Sequence, residues 1–89
     1  MNERELQAFV AVAGHGRIDL AAKALGYSQP AVSYQLKCLE MTLGTKLFVR
    51  TSTGTTLTHT GALMLPSAQA VLALMRGIKA TTGDLVLAA

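Results

Sequence analysis

Gly14-His15-Gly16, Gly26 and Gly44 close three successive stretches of helical period, and so divide the first half of the chain into short helices joined by tight turns. In the first stretch Leu6, Phe9, Val10 and Ala13 fall at i, i+3, i+4 and i+7, the pattern of an amphipathic helix. In the second, Ile18, Ala21, Ala22 and Leu25 share one side, and Asp19 reads as the capping residue. Ser28 reads as the N-cap of the third, with Pro30 tolerated in its first turn and Val32, Leu36, Leu39 and Leu43 as its core stripe. Only Gly26-Tyr27-Ser28 separates the second helix from the third, which is the turn length of a helix-turn-helix.

Beyond Gly44 the pattern changes. Lys46 to Arg50 and Thr55 to Thr58 read as two short strands around Ser52-Thr53-Gly54, since β-branched residues favour pairing and Gly54 supplies the turn. A long helix is expected from about Thr58 to Ala80, roughly 33 Å at 1.5 Å per residue. Pro66 should weaken or bend it by removing one backbone hydrogen bond. Gly83 to Ala89 reads as the opening strand of a further, absent domain. On the long helix Leu74, Ile78, Val71, Met64, Met75, Ala68, Leu72 and Leu65 cover nearly half the circumference, whereas packing on one surface needs a stripe of only about 100°. The surplus implies two partners, the chain's own first helix and the same helix of a second subunit.

Charge is unevenly placed. The net charge is +3, and from Arg17 to Arg50 the cations Arg17, Lys23, Lys37, Lys46 and Arg50 face only Asp19 and Glu40. No charged residue occurs from Thr51 to Met75. The apolar run Ala62 to Met75 is broken by Pro66, Ser67 and Gln69 and falls short of the ~20 residues of a membrane-spanning helix. A single cysteine, Cys38, precludes an internal disulfide, fits a reducing cytoplasm, and lacks the basic neighbours of a redox sensor. No signal peptide is expected. His15 and His59 stand far apart without a cysteine or carboxylate cluster, so no metal site is expected. Ser28 and Ser33 have no nearby histidine, and no phosphate-binding glycine loop exists. An enzyme is not expected, nor a cofactor.

In a helix-turn-helix the second helix of the pair enters the major groove. Opposite the core stripe of the third helix lie Pro30, Ser33, Tyr34, Lys37, Cys38 and Met41, with Gln29 in the exposed first turn. Gln29 carries the donor and acceptor that read adenine bidentately, and Ser33 can serve a base or a phosphate. Lys37 offers a point charge to the DNA backbone, and Tyr34 can pack on sugar with its hydroxyl toward a phosphate. The alternative is a winged-helix module that docks another protein through its exposed third helix and apolar last helix.

Ala21-Ala22, Leu25, Ser28-Gln29-Pro30-Ala31-Val32-Ser33, Leu36, Leu39-Glu40, Leu43-Gly44 and Leu47-Phe48-Val49-Arg50 resemble the N-terminal DNA-binding domain of LysR-type transcriptional regulators. Leu57-Thr58-His59-Thr60-Gly61 and Leu65-Pro66 extend the resemblance into that family's linker helix. It implies a mainly α fold: a winged helix-turn-helix over residues 1–58 (three helices and a two-stranded wing), a linker helix over 59–82, and the start of an absent effector domain at 83–89. It implies a bacterial, cytoplasmic, dimeric transcription factor that binds inverted-repeat operators, and a small-molecule inducer sensed only by the missing domain. The DNA-facing residues would be Ser28, Gln29, Pro30, Ser33, Tyr34 and Lys37, with Arg17, and with Arg50 and Thr51 at the root of the wing. Leu65, Ala68, Leu72, Met75 and Ile78 would form the dimer seam. Three departures stand out: Tyr34 and Cys38 occupy positions often basic in the family, the wing tip Ser52 to Thr56 lacks arginine, and Arg17-Ile18-Asp19 replaces the commoner Ser-Phe-Thr. Fewer cations predict weaker and less salt-dependent DNA binding than is usual.

Overall fold

Asn2 opens the first helix, its side chain accepting the Glu5 N–H at 2.9 Å while its own amide donates to the Glu5 carboxylate at 3.2 Å. The structure is a computed structural model that describes the backbone of residues 1–88 and the side chains through Gly83. Helix α1 (Glu3–His15) ends at Gly16, whose φ of 73° lets its N–H reach the Val12 carbonyl. The face it buries is Leu6, Ala8, Phe9 and Val12, while Val10 and Ala13 of the expected stripe are half-buried. The shift arises because α1 is central and packs against three other helices, so one narrow stripe does not describe its contacts.

Helix α2 (Ile18–Leu25) follows, with Ala21 and Ala22 buried and Ile18 and Leu25 packed at the core's edge. Asp19 is not its cap. The N-cap position is Arg17, which makes no side-chain capping bond, and Asp19 is the second residue of the helix, within its first turn. The Asp19 carboxylate is instead engaged by the Arg17 guanidinium, at 3.0 Å from Nε and 2.7 Å from Nη2. Helix α3 (Gln29–Leu43) begins as expected, Ser28 Oγ accepting the Ala31 N–H at 3.2 Å with Pro30 in the first turn. Val32, Leu36 and Leu39 are buried and Leu43 is half-buried.

The wing pairs β1 (Phe48–Thr51) with β2 (Gly54–Leu57) antiparallel, in the register Phe48↔Leu57, Val49↔Thr56, Arg50↔Thr55 and Thr51↔Gly54. Both strands are offset from the sequence expectation, for a reason visible in the hydrogen bonds. The Leu47 carbonyl still accepts the N–H of Thr58 opposite it at 2.9 Å, but the Leu47 N–H is diverted to the Glu40 carboxylate at 2.7 Å, so the ladder begins only at Phe48. The Leu47 side chain is fully buried. Thr58 is the cap of the last helix rather than a strand residue, its Oγ1 accepting the Gly61 N–H at 3.0 Å. The wing also docks on the α1–α2 turn: the Gly16 carbonyl accepts the Thr55 N–H at 2.9 Å and the Thr55 hydroxyl at 3.3 Å.

Helix α4 (His59–Ala88) is longer than expected and runs unbroken through Pro66. The strand expected from Gly83 is absent, since Gly83 to Ala88 continue the helix; Ala89 lies outside the described residues. Six residues of mixed Gly, Asp, Leu, Val and Ala carry no decisive local preference, and a preceding helix propagates more cheaply than a strand can start without a partner. Over His59–Gly83 the helix is long and apolar enough to cross a membrane, with a mean hydropathy of 1.3, which the broken run Ala62 to Met75 did not suggest. Yet Ala68 and Leu72 are buried within the domain, and Lys79 reaches Glu3 of α1 at 2.7 Å.

The core lies where α1, α3, Leu47 and α4 meet. Phe9, Val12, Val32, Leu39 and Leu47 are fully buried, and Phe48 closes over Phe9 edge to face at 5.6 Å between centroids.

Candidate nucleic-acid interface

The turn Gly26-Tyr27-Ser28 projects the first turn of α3 away from the core, and the wing rises beside it. Between them run two adjoining clefts. One, of about 580 Å³, lies between the start of α2, Gln29 and the wing root, and includes Arg17, Arg50 and Thr51. The other, of about 610 Å³, lies between α3 and β1 and includes Ser33, Lys37, Lys46 and Arg50. Arg50 borders both. Gln29, Pro30, Ser28 and Lys37 are exposed, Ser33 is half-buried, and Arg50 and Thr51 are exposed on β1. Six of the nine DNA-facing residues expected from sequence, Arg17, Gln29, Ser33, Lys37, Arg50 and Thr51, line these two clefts; Ser28, Pro30 and Tyr34 are exposed and line neither.

The electrostatics separate free from neutralised cations. Lys37 and Arg50 form no ion pair among the described residues, whereas Arg17 is bound by Asp19 and Lys46 lies 3.7 Å from Glu40. Their charge is thus available to an anion from outside. The Tyr34 phenol is pushed above its ordinary pKa, chiefly by the neighbouring Cys38 side chain, with desolvation and Glu5 adding to the rise. A neutral phenol can donate a hydrogen bond, so Tyr34 keeps that capacity toward a phosphate. The Cys38 thiol is half-buried and has no cysteine partner.

Sequence reasoning missed three contributors. Glu40 ties the end of α3 to the start of β1, but nothing in the spacing of Glu40 and Leu47 reveals a carboxylate bound to a backbone N–H. Asp19, which by position reads as a cap, holds Arg17 instead. Thr55, in a run of threonines, gave no sign that its backbone would anchor the wing to Gly16.

On α4 the expected seam divides in two. Ala68 and Leu72 are buried in this chain's own core, and Leu65 and Met75 are half-buried. Of the expected seam only Ile78 is exposed, and it is joined by Leu63, Val71 and Leu74. At 100° per residue these four fall within about 80° of one another, beside the buried face.

A domain of three helices and a wing, with a free lysine and arginine flanking an exposed second helix of a helix-turn-helix, is a winged helix-turn-helix. Residues 4–62 match the profile of the bacterial regulatory helix-turn-helix proteins of the lysR family, and the chain belongs to that family, one of transcriptional regulators rather than enzymes. It is 42% identical over 76 residues to the HTH-type transcriptional regulator TfdT of Cupriavidus pinatubonensis, covering 85% of this chain and 33% of that protein. It is 42% identical over 85 residues to the regulator PtxR of Pseudomonas aeruginosa, covering 96% of this chain and 27% of that protein. The chain thus spans about a third or less of the length of these relatives. Among solved structures it resembles the CbnR DBD–DNA complex, with a TM-score of 0.83, 38% identity and coverage of 99% of this chain and 97% of that one. It also resembles the BenM DBD bound to catB site 1 DNA, with a TM-score of 0.89, 30% identity and 97% coverage of each.

Proposed function

We propose that this chain binds double-stranded DNA sequence-specifically as a dimer, placing the first turns of α3 in the major groove and the wing root on the flanking backbone. The observation that carries this reading is the convergence of Gln29, Ser33, and the unpaired Lys37 and Arg50 on one exposed side. Gln29 and Ser33 are the base-reading residues; Lys37, Arg50, Thr51, Tyr34 and Arg17 contact backbone, and Ser28 and Pro30 set the entrance of α3. The DNA-bound structures of CbnR and BenM domains support it by likeness. Residues 1–58 would be the DNA-binding unit and the helix beyond them the dimer element of a cytoplasmic regulator.

The dimer seam in this proposal is the exposed face Leu63, Val71, Leu74 and Ile78, with the half-buried Met75 at its edge, because Ala68 and Leu72 are already used within the subunit and Leu65 lies beyond them, packed on the core. A two-fold pair would set two α3 helices in successive major grooves, about 34 Å apart, and favour inverted repeats. It would also double the lean charge of +3.

Anisotropy titration against DNA recovered from a random pool tests the reading. Gln29→Ala should relax sequence preference, and Lys37→Ala should weaken every sequence while lowering the salt slope by about 0.9. A folded dimer that selects no sequence at moderate salt would overturn it in favour of a protein-docking module. Sedimentation of wild type as a monomer at tens of micromolar, or no change on Leu74→Asp, would remove the α4 seam.

A further inference from the structure

Arg17 is the one cation of the DNA-facing side that already has a bidentate partner. Its Nε and Nη2 donate to the two oxygens of Asp19, at 3.0 and 2.7 Å, although both side chains are substantially exposed. Its aliphatic stem lies against the wing: a side-chain carbon placed on Gly54 would come within 3.1 Å of Arg17 Cγ and collide with the Gly16 carbonyl. The guanidinium is therefore held by a carboxylate from α2, while its stem passes close to Gly54 of the wing. Fixed in this way, it borders the cleft that contains Gln29, Arg50 and Thr51, and its Nη1 has no partner among the described residues.

We propose that Asp19 is a positioning residue for DNA binding: it holds Arg17 so that Nη1 meets a backbone phosphate beside the base-reading turn of α3. The inference rests on the DNA-binding reading above. Its physical content is that an exposed arginine loses much rotamer freedom when it engages a phosphate, and an arginine already ordered by Asp19 loses less. Against this stands plain electrostatics, since a carboxylate so near a phosphate repels it. The two effects have opposite signs, so the sign of one substitution decides between them. Ordering one long side chain is worth about three- to tenfold in affinity. Within a Debye length the repulsion is only partly screened, so Asp19→Ala weakens binding only where the ordering effect exceeds it.

The experiment is an anisotropy titration of the whole chain with a duplex of mixed sequence, over a range of salt, for wild type, Asp19→Ala, Asp19→Asn, Arg17→Ala and the double variant Arg17→Ala/Asp19→Ala. Positioning predicts that Asp19→Ala weakens binding about three- to tenfold despite the gain of one positive charge. It also predicts a salt slope shallower by up to about 0.9, the loss of one phosphate contact. Asp19→Asn, which keeps one acceptor for the guanidinium and is nearly isosteric, should lie between Asp19→Ala and wild type. In the Arg17→Ala background the Asp19→Ala change should no longer weaken binding. Tighter binding and a steeper slope for Asp19→Ala would overturn the positioning role while leaving DNA binding intact. Equal weakening by Asp19→Ala with and without Arg17 would also overturn it. Failure of wild type to bind the duplex at all would sink the DNA-binding reading, and this inference with it.

Discussion

Removing the Glu40 carboxylate should cost more than any other single surface-polar change in the domain, because it leaves a buried backbone donor without a partner. Glu40 sits on the last turn of α3 with its side chain only 15% exposed, and accepts the N–H of Leu47 at 2.7 Å and that of Phe48 at 3.4 Å. The first bond is short and charge-assisted; the second is long and weak. Leu47 is fully buried, so in Glu40→Ala its N–H has no easy route to water. A hydrogen bond to a charged group contributes about 1.5–3 kcal/mol, and an orphaned buried donor costs a similar amount. The Lys46 contact at 3.7 Å adds little, since the Lys46 side chain is 80% exposed and such pairs contribute about 0–1 kcal/mol. The expected loss for Glu40→Ala is therefore about 2–3 kcal/mol, a fall in melting temperature on the order of 10 °C for a domain of this size. Glu40→Gln keeps an oxygen acceptor and should lose about half as much; Lys46→Ala should lose less than about 0.5 kcal/mol. Urea denaturation followed by circular dichroism measures all three. If Lys46→Ala matches Glu40→Ala, the ion pair and not the backbone bonds holds the junction, and the reasoning is refuted.

Gly61→Ala should destabilise the domain by about 1–3 kcal/mol, because a Cβ there would fall on the Leu47 carbonyl and press the Leu57 side chain; thermal unfolding reads this directly. Ser28→Ala removes the acceptor for the Ala31 N–H and should cost about 1 kcal/mol in urea denaturation. Cys38→Ala removes the neighbour that raises the Tyr34 pKa, so the Tyr34 phenol should ionise at lower pH than in wild type in an ultraviolet absorbance titration. A plot of log K against log salt for wild type on DNA should have a slope shallower than about −8, since a steeper one implies roughly nine neutralised phosphates.

Much of the helical half was legible because its signals are local. Ser28, Pro30, Gly26 and Gly44 act within one turn of where they stand, so the bounds of α3 could be read directly. The exposed first turn of α3 followed from the same stripe of Val32, Leu36 and Leu39 that faces inward. The wing was legible as a hairpin but not in its bounds, because these depend on where Leu47 directs its backbone groups, to Glu40 on α3 and to Thr58. Arg17 and Asp19 were both noted, but their pairing was not, since a short side chain in a first turn reads as a cap when the neighbouring arginine's reach is unknown.

The sequence by itself determined the order of elements, the tight turn, the clustering of cations before Thr51 and the excess of apolar residues after it. All of these are properties of neighbours along the chain. The tertiary structure alone decided which of those residues are spent and which are free. Ala68 and Leu72 are used against α1's side of the core while Leu63, Val71, Leu74 and Ile78 remain outside. Likewise Arg17 and Lys46 are partnered while Lys37 and Arg50 are not paired among the described residues. Periodicity assigns a residue to a face of its own helix, but burial and pairing depend on what another element brings to that face, and in the wing and the linker helix that element is distant in sequence.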